Sequence, residues 1–166
     1  MSPSKNRLVD DQQATLLVVL QFMLLLFCLL PWPQHYHLNY GVIFLLLGVV
    51  LGLSALAYNR PGNFNIRPVY KTGAVAIIKG PYQLFRHPMY VAVLLTTIGV
   101  LIMQQASYKW LALLFLFLVL NKKAALEEKV MRDNHVDYLI YHQQSFRWLP
   151  LSKKNENRTN RRSDND

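Results

Sequence analysis

Two apolar runs, Ala14 to Leu30 and Tyr40 to Tyr58, constrain this chain more than anything else in it. Each approaches the about 20 residues that an α-helix needs to cross a bilayer. Inside hydrocarbon every backbone N–H and C=O must find a partner within its own structure, and a continuous apolar run does that as a helix. Two further stretches follow, Met89 to Met103 and Trp110 to Leu120. The first gains length from the neutral Gln104, Gln105 and Ala106. The second extends through Tyr108 and Lys109 on one side and Asn121 to Ala125 on the other, with Lys122 and Lys123 expected to snorkel to the interface. The expected fold is therefore all-α and integral to the membrane, with about four transmembrane helices.

Lys5 and Arg7 ahead of the first run resemble the start of a signal peptide. The exit, Leu30-Pro31-Trp32-Pro33, carries no small-residue cleavage site, so the run reads as a membrane helix. The single cysteine, Cys28, lies inside it, which rules out a disulfide framework or a thiolate metal cluster. His35 and His37 have no third ligand nearby, so no metal site is expected.

Charge placement gives an orientation. Between Tyr58 and Tyr90 stand Arg60, Arg67, Lys71, Lys79 and Arg86 with no acidic residue, whereas Pro31 to Asn39 carries no Asp, Glu, Lys or Arg. The turn near Ser107 offers Lys109 alone, and beyond Asn121 there are ten basic and seven acidic residues. Basic residues accumulate on the cytoplasmic side, so both termini and the central connection are expected there. The net charge of +9 reads first as this topology signal and second as attraction to anionic lipid. It does not point to nucleic acid, because these cations flank membrane helices. A bacterial inner membrane is the simplest compartment, and the oligomeric state is not legible.

The chain divides into a polar lead (1–13), two membrane helices (14–58), a core (59–150) and a charged, Asn-rich tail (151–166) expected to be disordered. Trp32, Tyr36 and Tyr40 suit an interfacial belt. Gly48-x-x-x-Gly52 permits close helix approach, within the bundle or, less readily, between copies. The connection from Asn59 to His87 is too long for a turn, and its aromatic and aliphatic content suggests that it packs along the membrane surface. Val130, Tyr138, Leu139 and Tyr141 suggest a C-terminal interfacial helix.

The densest chemistry is Lys79-Gly80-Pro81-Tyr82-Gln83-Leu84-Phe85-Arg86-His87-Pro88-Met89-Tyr90, at the mouth of the third helix. Polar groups there are costly unless they hold something. The tight turn Gln104 to Lys109 makes helices three and four an antiparallel hairpin, which carries Arg86 to Tyr90 back beside Glu127-Glu128. A plainer reading stays open at this point. Glu127 can pair with Lys123 and Glu128 with Arg132 at four-residue spacing on a solvated face. Arg86 can be a topology anchor, and Pro88 a first-turn proline whose missing N–H is not needed.

Gly80-Pro81-Tyr82-x-x-x-Arg86-His87-Pro88-x-Tyr90, together with Glu127-Glu128, Tyr138-x-x-Tyr141 and Arg147-Trp148-Leu149-Pro150, resembles the isoprenylcysteine carboxyl methyltransferase and phospholipid methyltransferase superfamily. The likeness runs from about Asn59 to Pro150. It implies a small membrane methyltransferase using S-adenosylmethionine, with the cofactor site on the cytoplasmic side and a lipophilic acceptor, carboxylate or amine, entering from the bilayer. Arg86, Glu127 and Glu128 are then the expected catalytic residues. Gly80, Tyr82, Arg86, His87, Pro88, Tyr90, Glu127 and Glu128 are the expected cofactor residues.

The residue types suit that cofactor. An arginine binds a carboxylate through two donors, a glutamate accepts from an ammonium or from ribose hydroxyls, and aromatic rings face an adenine or a sulfonium. The chain departs from the superfamily pattern in three places: Ala92 stands where relatives carry Gly, no Gly-x-Gly element lies near the motif, and Asn134-His135 replaces Phe-Gly. The missing Gly-x-Gly points away from a close phosphatidylethanolamine methyltransferase. Two other classes compete: an NADPH-dependent membrane reductase of the sterol reductase type, which shares an Arg-His-x-x-Tyr element, and a non-catalytic membrane protein.

Overall fold

A computed structural model describes residues 3–31, 35–59, 79–134 and 147–148. The regular elements among them are helical: α1 (Pro3–Leu29), α2 (Gly41–Tyr58), α3 (Pro88–Gln104) and α4 (Lys109–Asn134), with a short 3-10 turn at Gly80–Gln83. Two helices are long and apolar enough to cross a membrane, α1 over Gln12–Leu29 and α2 over its full length, while α3 is apolar and 17 residues long. An all-helical, membrane-compatible fold is thus in place.

The helix bounds run past the apolar segments at both ends. The expected polar lead is helical from Pro3 onward, because polar residues continue a helix well and apolarity marks depth in a bilayer rather than a helix end. At the other end α4 runs unbroken to Asn134, taking in the start of the expected interfacial segment. The central connection at 60–78, the remaining segment at 135–146 and the tail lie outside the described residues.

The helices pack as two antiparallel pairs, α2 against α3 and α1 against α4, with lesser contacts of α3 to α1 and α4. The first pair is built on absent side chains. A Cβ at Gly41 would sit 2.5 Å from the Gly99 carbonyl oxygen, one at Gly99 would sit 2.5 Å from the Leu45 nitrogen, and one at Gly48 would meet the Thr96 backbone at 2.6 Å. Gly48 and Gly52 both face α3 beside Ala92, so the Gly-x-x-x-Gly spacing serves packing inside the bundle.

The second pair uses a stripe on α4. Ala112, Leu116, Leu120 and Ala124 are buried at four-residue intervals, the spacing that returns to one helix face. Leu116 and Leu120 pack with Cys28 of α1 and Leu101 of α3. Leu111, Leu114, Phe115 and Leu118 face outward, as suits a helix whose far side meets lipid. Glu128 is the next position on the buried stripe, and Lys109 lies four residues before Leu113.

Candidate active site

Local geometry sets up the motif first. Gly80 has φ of 60°, which L-residues with a Cβ rarely adopt, and a Cβ there would lie 2.6 Å from the Tyr58 ring. It lets the chain turn tightly over the end of α2. Pro81 opens the 3-10 turn, and Pro88, fully buried, opens α3. His87 is the N-cap residue of α3, with φ −125° and ψ 62°. Arg86 and His87 are thereby placed just outside the helix, facing across to α4.

Four charged side chains converge on Glu128, or lie beside it, at the end of α4. Glu128 has a fully buried side chain (0% exposed), with the Nε of Arg86 3.6 Å from its Oε1. His87 bridges the two carboxylates: Nε2 lies 3.3 Å from Glu128 Oε1 and Nδ1 lies 3.4 Å from Glu127 Oε2. Arg147 grips Glu128 with two donors, Nε to Oε1 at 3.0 Å and Nη2 to Oε2. Such a fork is the strong form of an arginine–carboxylate contact. Glu127 keeps about a quarter of its side chain exposed (24%) and accepts a 2.6 Å hydrogen bond from the Tyr90 hydroxyl. The Tyr90 ring stacks on His87 with 5.3 Å between centroids and 6° between planes.

Electrostatics follow from this arrangement. Burial alone would raise the Glu128 pKa, but hydrogen bonds from His87 and Arg147 and the charges of Arg86 and His87 outweigh it and hold Glu128 ionised, well below the usual carboxylate range. Burial alone would lower the His87 pKa. Its contacts with Glu127 and Glu128 reverse that and raise it above the ordinary value. A ring that donates from both nitrogens must be protonated. Tyr82 is pushed up by burial and, next, by the negative charge of Glu127.

Arg86 stands apart. Its Nε and Nη1 atoms are buried, and among the described residues neither donates a hydrogen bond. Buried donors left without an acceptor carry a desolvation cost of about 1–3 kcal/mol, more when charged. Nε and Nη1 leave different edges of the guanidinium, so each suits a separate acceptor oxygen. The cluster can therefore offer a buried cationic donor to a carboxylate and an accessible carboxylate, Glu127, to a cation.

The expected hairpin is present, and it brings Arg86, His87 and Tyr90 of the motif to Glu127 and Glu128. Gly80 and Pro88 serve local geometry, one against Tyr58 and the other in the first turn of α3. The solvated-face alternative fails for Glu128, which is wholly enclosed. The snorkelling expected of Lys123 fails too: Lys122 is exposed, but Lys123 is 3% exposed and turned toward α1. Three participants were not expected. Arg147 belongs to the closing Arg-Trp-Leu-Pro motif, which was the signal for it. Asn121 accepts from Arg147 Nη1 at 3.3 Å and from Trp148 Nε1 at 3.2 Å, tying that return segment to α4. Lys123 was marked only by a lone glutamine, Gln21, in an otherwise apolar stretch of α1.

Residues 36–137 match the family described as Phospholipid methyltransferase (PEMT). No curated protein and no solved structure matches the chain. The match covers α2, α3 and all of α4 and leaves α1 outside. It falls on the phospholipid side of the superfamily, the side from which the missing Gly-x-Gly had pointed away at the level of the phosphatidylethanolamine enzyme.

Proposed function

The chain belongs to the phospholipid methyltransferase family and is an S-adenosylmethionine-dependent methyltransferase of a lipophilic, membrane-associated acceptor; we propose that the Arg86–His87–Glu127–Glu128 cluster is where it binds the cofactor. The observation that carries this assignment is the buried Arg86 guanidinium, two of whose nitrogens find no acceptor among the described residues, beside a carboxylate that already accepts from His87 and Arg147. Arg86 takes an oxygen of the cofactor carboxylate through Nη1, with Nε held beside Glu128. Glu127, the more accessible acid, accepts from the amino acid ammonium or the ribose hydroxyls. Tyr82 supplies an aromatic face for the adenine or the sulfonium, and Tyr90, its ring already stacked on His87, holds Glu127 through its hydroxyl. When bound, the cofactor supplies an electrophilic methyl group.

Glu128 has a different part. With His87, Arg147 and Arg86 around it, its oxygens are committed, so it fixes the positions of the groups that bind. In-line methyl transfer gains most from alignment and exclusion of water, and a fixed, buried carboxylate serves both. For an amine headgroup, Glu127 is the acid placed to accept a proton. For a carboxylate acceptor no base is needed and a cation orients it.

The topology that fits these roles has four membrane crossings, both ends of the chain in the cytoplasm and the motif end of the bundle facing that side, in keeping with the basic residues from Arg60 to Arg86. The family match speaks against the reductase and the non-catalytic alternatives.

Calorimetric titration of detergent-solubilised protein with S-adenosylhomocysteine and with NADPH tests the assignment. The first should bind, with binding abolished in Arg86→Ala and weakened in Glu127→Gln. Binding of NADPH alone, or unchanged affinity in Arg86→Ala, would overturn it. Labelled-methyl transfer into extracted lipids then identifies the acceptor.

A further inference from the structure

Lys123 sits one helical turn before Glu127 on α4, about 6 Å deeper along the axis. At that spacing it could pair with Glu127, yet it is 3% exposed and its Nζ donates to Gln21 Oε1 of α1 at 2.9 Å. The same Nζ lies 5.3 Å from the centroid of the Tyr90 ring. Gln21 is itself buried, in a helix that is apolar on both sides of it. An ammonium and an amide enclosed at this depth are expensive, and a cation with a neutral partner adds little to stability that an apolar pair would not.

The contacts run on in one direction. Tyr90, with Lys123 at its ring, stacks on His87 and donates from its hydroxyl to Glu127. A cation against an aromatic face holds the ring in place and makes its hydroxyl a better donor. From this we infer that α1, which lies outside the family match, completes the cofactor site: Gln21 fixes Lys123, and Lys123 is the positioning residue that sets Tyr90 and its hydrogen bond to Glu127.

This rests on the assignment of the cofactor site above, and the test separates the two. S-adenosylhomocysteine affinity is measured by calorimetry, and unfolding temperature in the same detergent, for the wild type, Lys123→Met, Gln21→Leu, the double variant and Lys123→Arg. Lys123→Met is expected to weaken affinity about tenfold, and Lys123→Arg to recover most of it. The double variant, with its apolar pair, is expected to regain the unfolding temperature but not the affinity. In a Tyr90→Phe background Lys123→Met should have no further effect on affinity, because the path to Glu127 is already cut. If the double variant recovers affinity together with stability, or if Lys123→Met and Tyr90→Phe act additively, Lys123 is only a packing residue. If the wild type binds and Lys123→Met binds equally well, this inference alone falls. If the wild type fails to bind, the site assignment falls and takes this inference with it.

Discussion

The bundle buries charge at both ends, by opposite means. At the motif end, Glu128 is wrapped by His87 and Arg147, with Arg86 close by, and two buried Arg86 donors find no acceptor among the described residues. At the turn end, Lys109 is just as enclosed (1% exposed) but meets no carboxylate among the described residues. Its Nζ donates to the Leu30 carbonyl and, at 2.7 Å, to Gln104 Oε1, and lies 5.8 Å from the Phe27 ring centroid. Gln104 in turn donates to the Leu29 carbonyl at 3.2 Å, and the Tyr36 hydroxyl donates to that same oxygen.

Those carbonyls are the unsatisfied last groups of α1, where a cation is favoured by the helix dipole. Lys109 has found an acceptor or a ring in each direction, and the knot closes α1 onto the α3–α4 turn. The motif end is the reverse, with strong charges, strong pairs and donors to spare. Spare donors mark a place that binds, and satisfied ones mark a place that holds.

The largest break in this contrast should come from Glu128→Ala. It strands Arg147 and His87 without their acceptor, and loss of one partner of a buried ion pair costs about 3–5 kcal/mol. Chemical or thermal unfolding in detergent measures it, and cofactor-analogue binding should vanish with it. Lys109→Met should cost less, about 1–3 kcal/mol for the acceptors left bare, and should leave S-adenosylhomocysteine affinity as in the wild type. A loss of affinity there would erase the distinction between the two ends.

The smallest effect is on pH dependence. The His87 pKa is raised in the folded state, so its bridge contributes in full below about 6.5 and is lost as pH rises through the raised value. Glu128 is depressed, so its contribution is present above about 4.3 and lost only as the solution turns acid. Unfolding temperature should therefore decline as pH rises above about 6.5 in the wild type, and His87→Gln should flatten that decline. An equal slope in the two proteins would show that His87 does not bridge the carboxylates.

Much of this was legible in the chain. The tight polar turn at Gln104 to Lys109 required an antiparallel hairpin. That hairpin forced Arg86–Tyr90 to the level of Glu127–Glu128. Gly80, Pro81 and Pro88 announced the turn and the helix start. The motif and its carboxylates could be paired without a structure because helix rise converts residue number directly into depth.

What the chain could not reveal is azimuth. The apolar half of α4 is hydrophobic all round, so its sequence shows no stripe that separates Ala112, Leu116, Leu120 and Ala124 from the residues between them. Only the packing against α1 shows that the stripe continues to Glu128 and passes Glu127 by, which divides the two acids into one that is enclosed and one that is reachable. The same uncertainty hid the inward turn of Lys123 toward Gln21. The grip of Arg147 was beyond local reading too, because it depends on a chain segment returning to α4 after the helix has ended. Sequence set the elements, their depth and the family chemistry, through apolar run length and the motif. Tertiary structure decided which face of each helix is inside, because in a membrane protein hydrophobicity does not distinguish the core from the solvent.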